Sequence, residues 1–346
     1  MAFQSAPGYS NLPNGVFSPT IYSQKVQKQF RKSSVAKDIT NSDYFGEIAN
    51  FGDSVQIIKE PEIQVYDYAR GMQMTSQDLE DEDFSLIIDR AKAFQFQIDD
   101  IEKKQSHVNW LDLATDRAAY KLRDQYDRDI LGYIAGYEEV GGVWTARSAP
   151  VGTKSESTAD SDELFGTHKL ARNAFVSAGS ASDSIVIGTS GTYDATPLAL
   201  LSRMSRLLDQ QNVDKEGRWV VVDPVFLEVL MDENSKFMDR DFQEGEQLSN
   251  GKVMSNKVRG FRLYSSNNLP YLGTGPATVD ADGSAANFGV IVAGIDSAAA
   301  TAEQINKTES FRSPFGFSDV VRGMHMYGRK ILRPQGLVRA VYNVNK

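Results

Sequence analysis

No cysteine occurs in the 346 residues, so disulfides and thiolate metal sites are excluded. Histidine is almost as scarce. His107, His168 and His325 stand far apart, and no HExxH or other paired-ligand spacing is present. No apolar run is long enough to cross a bilayer. The opening MAFQSAPGYSNLPNG has neither a basic n-region nor an apolar stretch, so no signal peptide is read and a soluble protein made in a cytosol is expected. Ser, His and Asp are all present, yet no nucleophile-elbow motif joins them into a triad. Gly245 to Val253 has one residue too many for a phosphate loop and ends in Val where Ser or Thr would hold magnesium, so it reads as a turn. The chain is therefore not read as an enzyme, and neither cofactor nor metal is expected.

What is present is enough apolar sequence, 41%, for a substantial core, with about two domains as the length expectation. Charge is polarised along the chain. Residues 1–37 hold Lys25, Lys28, Arg31, Lys32 and Lys37 and no acid, and residues 312–346 hold seven cations against Asp319, so the net −9 is a −20 body between ends of +5 and +6. Two basic ends on an acidic body suggest charge complementarity, within a subunit or between subunits.

The most legible element is 108–135, VNWLDLATDRAAYKLRDQYDRDILGYIA. Leu111, Ala114, Ala118, Leu122, Tyr126, Ile130 and Ile134 recur at helical steps and share one stripe. Ser106 or Asn109 can cap its start, Gly132 and Gly136 mark its end, and Asp124 to Arg128 is a favourable i,i+4 pair. Before it, residues 1–24 are rich in Ser, Pro, Gly and Asn and read as an extended arm, its Phe3, Tyr9, Phe17 and Tyr22 seeking burial elsewhere. A short basic amphipathic helix fits Ile21–Ala36. Residues 54–99 read as β: Val55–Ile58, Ile63–Tyr68, Leu86–Ile88, and Ala93–Asp99 with strict alternation. Between the runs lies an acidic cluster, Asp78, Glu80, Asp81, Glu82 and Asp83. It lacks the spacing and glycine of a calcium loop and reads as solvated charge. The whole is expected as a long two-stranded extension, most useful lying on a neighbouring subunit, because an isolated hairpin is marginally stable.

After the long helix, about 138–192 is a polar insertion of loop chemistry, with a short helix near Leu170. Thr196–Gln211 is a helix with Pro197 in its first turn. Gly217–Pro224 is a buried strand, Val225–Asp232 a short helix, Gly260–Tyr264 and Phe288–Ala293 strands, and Met324–Lys330 and Leu337–Tyr342 close the chain. No internal repeat is found.

This order of parts resembles the tailed-bacteriophage major capsid proteins of the Hong Kong 97 type. The likeness is carried by FGDSVQI, by AFQFQIDDIEKKQS leading into WLDLATDRAAYKLRDQYDRDIL, by NVDKEGRWVVVDPVFLEVLMDE, by GFRLYSSNNLP, and by FSDVVRGMHMYGRKILRPQGLV. The resemblance implies an α+β fold. Its parts would be an N-terminal arm (1–50), a long β-hairpin extended loop (51–100) and a peripheral domain (101–212) built on a spine helix (108–135) and carrying the insertion at 138–192. An axial domain (213–310) and a peripheral return strand (311–346) would follow. It implies hexamers and pentamers of an icosahedral shell around double-stranded DNA, procapsid maturation, assembly in the host bacterial cytoplasm and a place in the virion capsid. The implied partners are other copies of the chain, a portal, non-specifically contacted DNA, a decoration protein in some members, and no membrane. With arm and hairpin filling the residues before the spine, a separate scaffolding protein is expected. One branch of the family crosslinks Lys to Asn, but its three residues match no positions here. Lys25, Lys28, Arg31 and Lys32 are the candidate inter-subunit cations, meeting an acidic surface such as 78–83. Two readings compete: an encapsulin, which uses the same fold as a cargo compartment, and a soluble α/β enzyme.

Overall fold

The computed structural model describes residues 31–32, 34–43, 54–58, 63, 65–73, 76, 83–105, 110–147, 164, 168–177, 184–188, 193–232, 257–273, 279–280, 287–314 and 316–345. The helix expected before Ala36, the caps Ser106 and Asn109, most of the 138–192 insertion and the turn at 245–253 fall outside them. So do Lys25, Lys28, Asp78, Glu80, Asp81 and Glu82.

The helices are α1 (Ala36–Ile39), α2 (Asp100–Gln105), α3 (Trp110–Ala135), α4 (Pro197–Gln210) and α5 (Pro224–Leu230). The strands are β1 (Ser54–Ile58), β2 (Asp83–Ile87), β3 (Arg90–Asp99), β4 (Tyr137–Val140), β5 (Val143–Ala146), β6 (Lys169–Leu170), β7 (Ile185–Ile187) and β8 (Arg218–Val222). They continue with β9 (Lys257–Val258), β10 (Phe261–Ser265), β11 (Tyr271–Leu272), β12 (Val279–Asp280), β13 (Phe288–Ile295), β14 (Ala299–Arg312), β15 (Ser318–Ile331) and β16 (Leu337–Asn345).

The core forms around a mixed sheet in the order β12-β16-β13-β8-β10-β9, with β6 and β7 also on β16 and β11 on β13. Its central strands are apolar on both faces. In β8, Val220 and Val222 pack with Leu200, Leu201, Met204 and Leu208 of α4 and Phe226 of α5. The alternate residues Trp219 and Val221 pack with Tyr126, Ile130 and Ile134 of α3. The sheet is thus covered on both sides, which is why RWVVV and FGVIVAGI read as continuous apolar runs rather than alternating ones. Thr196 caps α4 through its side chain and Asp223 caps α5, each followed by Pro in the first turn. Strand β16 hydrogen-bonds to β13 from Gly289↔Tyr342 to Gly294↔Leu337, so the last segment is built into the sheet formed by 218–295.

A second sheet, β14-β15-β3, carries the extension. Here the structure departs from a simple hairpin. β1 and β2 pair antiparallel from Ser54↔Ile87 to Ile58↔Asp83. The alternating strand β3 does not continue that ribbon; it pairs with β15 from Tyr327↔Arg90 to Ser318↔Asp99. Ile63 and Val65–Tyr68, expected as strand, form none. The 14-residue β14 was not expected at all.

Four local expectations are corrected. Gly132 lies inside α3, where a Cβ would come within 2.5 Å of the Trp144 ring, and Gly136, at φ +78°, ends the helix. Arg128 does not pair with Asp124. It binds Glu139 of β4 at 2.6 Å and lies over Trp144, while Asp124 is buried. The start of the polar insertion is a hairpin, β4–β5, whose Gly141 and Gly142 both take positive φ, as a two-residue hairpin turn requires. Leu170 sits in β6, followed by one 3-10 turn at Arg172–Ala174 instead of a helix.

Candidate assembly interface

The buried half of α3 is a docking post for the end of the arm. Asp127 is wholly buried, and its Oδ1 accepts from the backbone N–H of Val35 and of Ala36, both at 2.8 Å, and from Ser34 Oγ at 3.1 Å. Its other oxygen accepts from Asn268 Nδ2 at 2.9 Å. One carboxylate so satisfies donors from the arm and from the loop after β10, and it sits at the start of α1, whose first N–H groups lack helical partners. The arm then runs along β14: Asn41 N donates to Ala299 O and Thr301 N to Asn41 O, at 2.8 and 3.0 Å.

Beside this joint is a cluster of charge and aromatic rings. Lys37 Nζ lies 2.9 Å from Glu303 of β14, and His325 Nε2 of β15 lies 3.4 Å from the other Glu303 oxygen. His325 first, then Lys37, hold the Glu303 carboxyl down to about 2 from its ordinary 4.5, against the opposing effect of burial. Tyr126 meets Tyr327 edge-on at 4.9 Å and His325 at 5.2 Å, and burial pushes both tyrosine hydroxyls above their ordinary range. Tyr327 donates to Asp129, which also pairs with Arg329 at 2.6 Å.

The base of the extension is held differently, by close approach. Leu86, Ile88 and Ala302 form a small buried cluster with Ile57 and Met326 against it. Gly328 of β15 lets the backbone of Ile87 cross it; a Cβ there would lie 2.4 Å from Ile87 O. Arg90 anchors to Glu138 at 2.6 Å. Ile63 (70% exposed), Val65 (95%), Tyr66, Tyr68 and Met72 all face solvent, as does Phe317 (80%) at the β14–β15 turn. That many large apolar side chains in one short segment form a surface suited to contact with another protein.

Of the expected inter-subunit cations, Arg31 bonds Asp116 of α3 within the same chain, and Lys32 Nζ donates to Asn268 Oδ1 at 2.8 Å. Asp83 opens β2, paired with Ile58. Lys37, counted only as part of the basic end, proves to be a pin. Its partner Glu303 is remote in sequence, and no local pattern signals the pair. Among the described residues no group of His, Asp and Glu is placed to hold a metal ion, and no helix is long and apolar enough to cross a membrane.

No protein-family model matches the chain, and no curated protein does. Solved structures do. A chain of Mycobacterium phage Che8 is 25% identical, with TM-score 0.67 over 96% of this chain and 98% of that one. A capsid structure of the cyanophage P-SCSP1u matches at 19% identity and TM-score 0.64, over 95% of this chain and 94% of that one. The capsid of Ralstonia phage GP4 matches at 12% identity and TM-score 0.64, over 95% and 96%. This chain therefore has, nearly end to end, the mixed helix-and-strand fold of phage capsid chains, and its resemblance to a tailed-bacteriophage major capsid protein stands.

Proposed function

We propose that the chain is the structural, non-enzymatic building unit of an icosahedral shell, clustering as hexamers and pentamers that enclose double-stranded phage DNA. The observation that carries this is the extent of the likeness: it runs through almost the whole of this chain and of the phage chains it matches. The layout goes with it. Residues 1–50 are the arm, 51–100 the extended loop, 101–212 the peripheral domain and 213–310 the axial domain; 311–346 is the return to the peripheral domain, except that its β16 joins the sheet of the axial segment. The unit is made in the host cytoplasm and ends in the virion.

Association rests on many modest contacts. The exposed segment Ile63–Met72 lies on a neighbouring copy and buries its apolar side chains there. Lys25 and Lys28 meet acidic surface on another copy, whose body is predominantly acidic. Each exposed pair contributes about 0–1 kcal/mol, so charge sets register while multiplicity supplies strength. A separate scaffolding protein guides closure, a portal occupies one vertex, and the DNA is contacted without sequence preference by a predominantly acidic body.

Coexpression of the chain with the scaffolding protein of its genome, followed by electron microscopy, tests the reading. Closed shells of uniform size are expected, with irregular products when the scaffold is omitted. Discrete small oligomers in both cases would overturn it. Uniform shells without scaffold, filled with a cargo protein, would favour the encapsulin reading.

A further inference from the structure

On the outer side of α4, away from the core, is a groove of about 510 Å³ between that helix and the segment His168–Ala174. Arg203 and Arg206, one helical turn apart, line it together with Lys169, and the other polar walls are the amides of Asn173, Gln210 and Gln211 and the buried His168, whose Nδ1 bonds Leu337 O at 2.9 Å. None of its lining residues is acidic. The one acid on the same helix, Asp209, pairs with Arg218 at 2.8 Å. Arg203 is fixed by donating to Ala174 O at 2.9 Å and lies over Phe175, and Arg206 stands exposed beside it. Burial first, and then the Arg206 charge, push the Arg203 guanidinium below its ordinary range. This is a local concentration of positive charge on a chain whose net charge is −9.

We propose that this groove is a binding site for a short acidic peptide segment presented by a second copy of the chain. The inference rests on the self-assembly reading and adds a named receptor to it. Two arginine forks suit carboxylates, which accept two parallel N–H bonds. The amides of Asn173, Gln210 and Gln211 suit the donors and acceptors of a peptide backbone, and Leu170 and Leu207 supply an apolar floor. Duplex DNA would instead need cations spread along a track that follows its phosphates. The densest run of matching chemistry in the sequence is Asp78, Glu80, Asp81, Glu82 and Asp83, interrupted only by Leu79.

The test is fluorescence anisotropy on unassembled full-length chain with a labelled synthetic peptide covering residues 74–85. Competitors are the same peptide with its five acids replaced by Asn and Gln, and a short DNA duplex. The acidic peptide is expected to bind, to weaken as salt rises, and to be displaced by neither competitor. Arg206→Gln, on the exposed side of the helix, is expected to weaken it several-fold, and Arg203→Gln with Arg206→Gln about tenfold or more. Equal binding of the amide peptide, stronger binding of DNA, or unchanged affinity in Arg206→Gln would each overturn the proposal. Circular dichroism checks the fold of the double variant, and the amide-peptide arm is independent of it. Shells that form while the peptide fails to bind would overturn the groove alone. Binding without any shell would support the groove and contradict the shell reading.

Discussion

At the scale of residues, Asp127 does the most with the least exposure. Four donors converge on its two oxygens from segments some 90 and 140 residues away in sequence. Asp127→Ala leaves two backbone N–H groups and the Asn268 amide without their acceptor. The expected cost is about 2–4 kcal/mol, read as a lower urea midpoint with faster proteolysis near residues 31–43. A midpoint unchanged from the parent would show that the arm docks without it. Glu303 gives a pH signature. Its carboxyl is held at about 2 in the folded chain against an ordinary 4.5. A depressed carboxyl stabilises the fold above its unfolded value, and that contribution is lost as pH falls from about 4.5 toward 2. Urea midpoints followed from pH 7 to pH 3 should therefore fall less steeply in Glu303→Gln than in the parent; parallel curves would contradict the assignment. Neither residue was legible in the sequence. Asp127 lies off the apolar stripe of α3 with nothing local to mark its burial, and the partners of Glu303 lie in the arm and in β15.

At the scale of elements, legibility follows where each element finds its partners. Helices α4 and α5 and strands β8 and β13 carry their signal locally, in caps and in apolar runs, and they form close to where periodicity puts them. The stripe of α3 was also legible, but among its described residues only Tyr126, Ile130 and Ile134 are fully buried; Ala114, Ala118 and Leu122 stay half-buried. β3 was recognised as a strand from its alternation, yet its partner, β15, lies more than 200 residues on, and no local pattern reveals that pairing. β14 was missed because AATAEQINKTESFR is buried against the arm at one end and exposed at the other, so it never alternates cleanly. The β4–β5 turn was missed by reading Gly141-Gly142 as loop when two glycines between short runs also mark a hairpin. The crossing of β2 over β15 yields a specific expectation. Gly328→Ala places a methyl against the Ile87 backbone, which cannot rotate away as a side chain can. A loss of about 1–3 kcal/mol is expected, measured by denaturant unfolding, with weaker hydrogen-exchange protection at 83–88. Parent-like stability would show that the crossing is looser than described.

At the scale of the whole molecule, a buried mixed sheet and one long helix hold an anchored arm end and an uncovered apolar segment. The core explains why the chain folds; the large apolar side chains of Ile63, Val65 and Met72 stay exposed on the single chain. If charged contacts between copies set register, raising salt from low to molar should slow assembly followed by light scattering, since exposed charges are screened within about 3 Å at 1 M. An unchanged rate would remove the charge pairing from the account. The central claim, that Ile63–Met72 and the arm are completed by adjacent copies, is tested most directly by a cryo-electron-microscopy reconstruction of particles assembled from this chain. The account predicts a closed shell with five- and six-fold clusters in which Val65, Tyr66 and Tyr68 are covered by a neighbouring copy; a shell in which those side chains still face solvent, or a chain that stays a compact monomer under every condition tried, would contradict it.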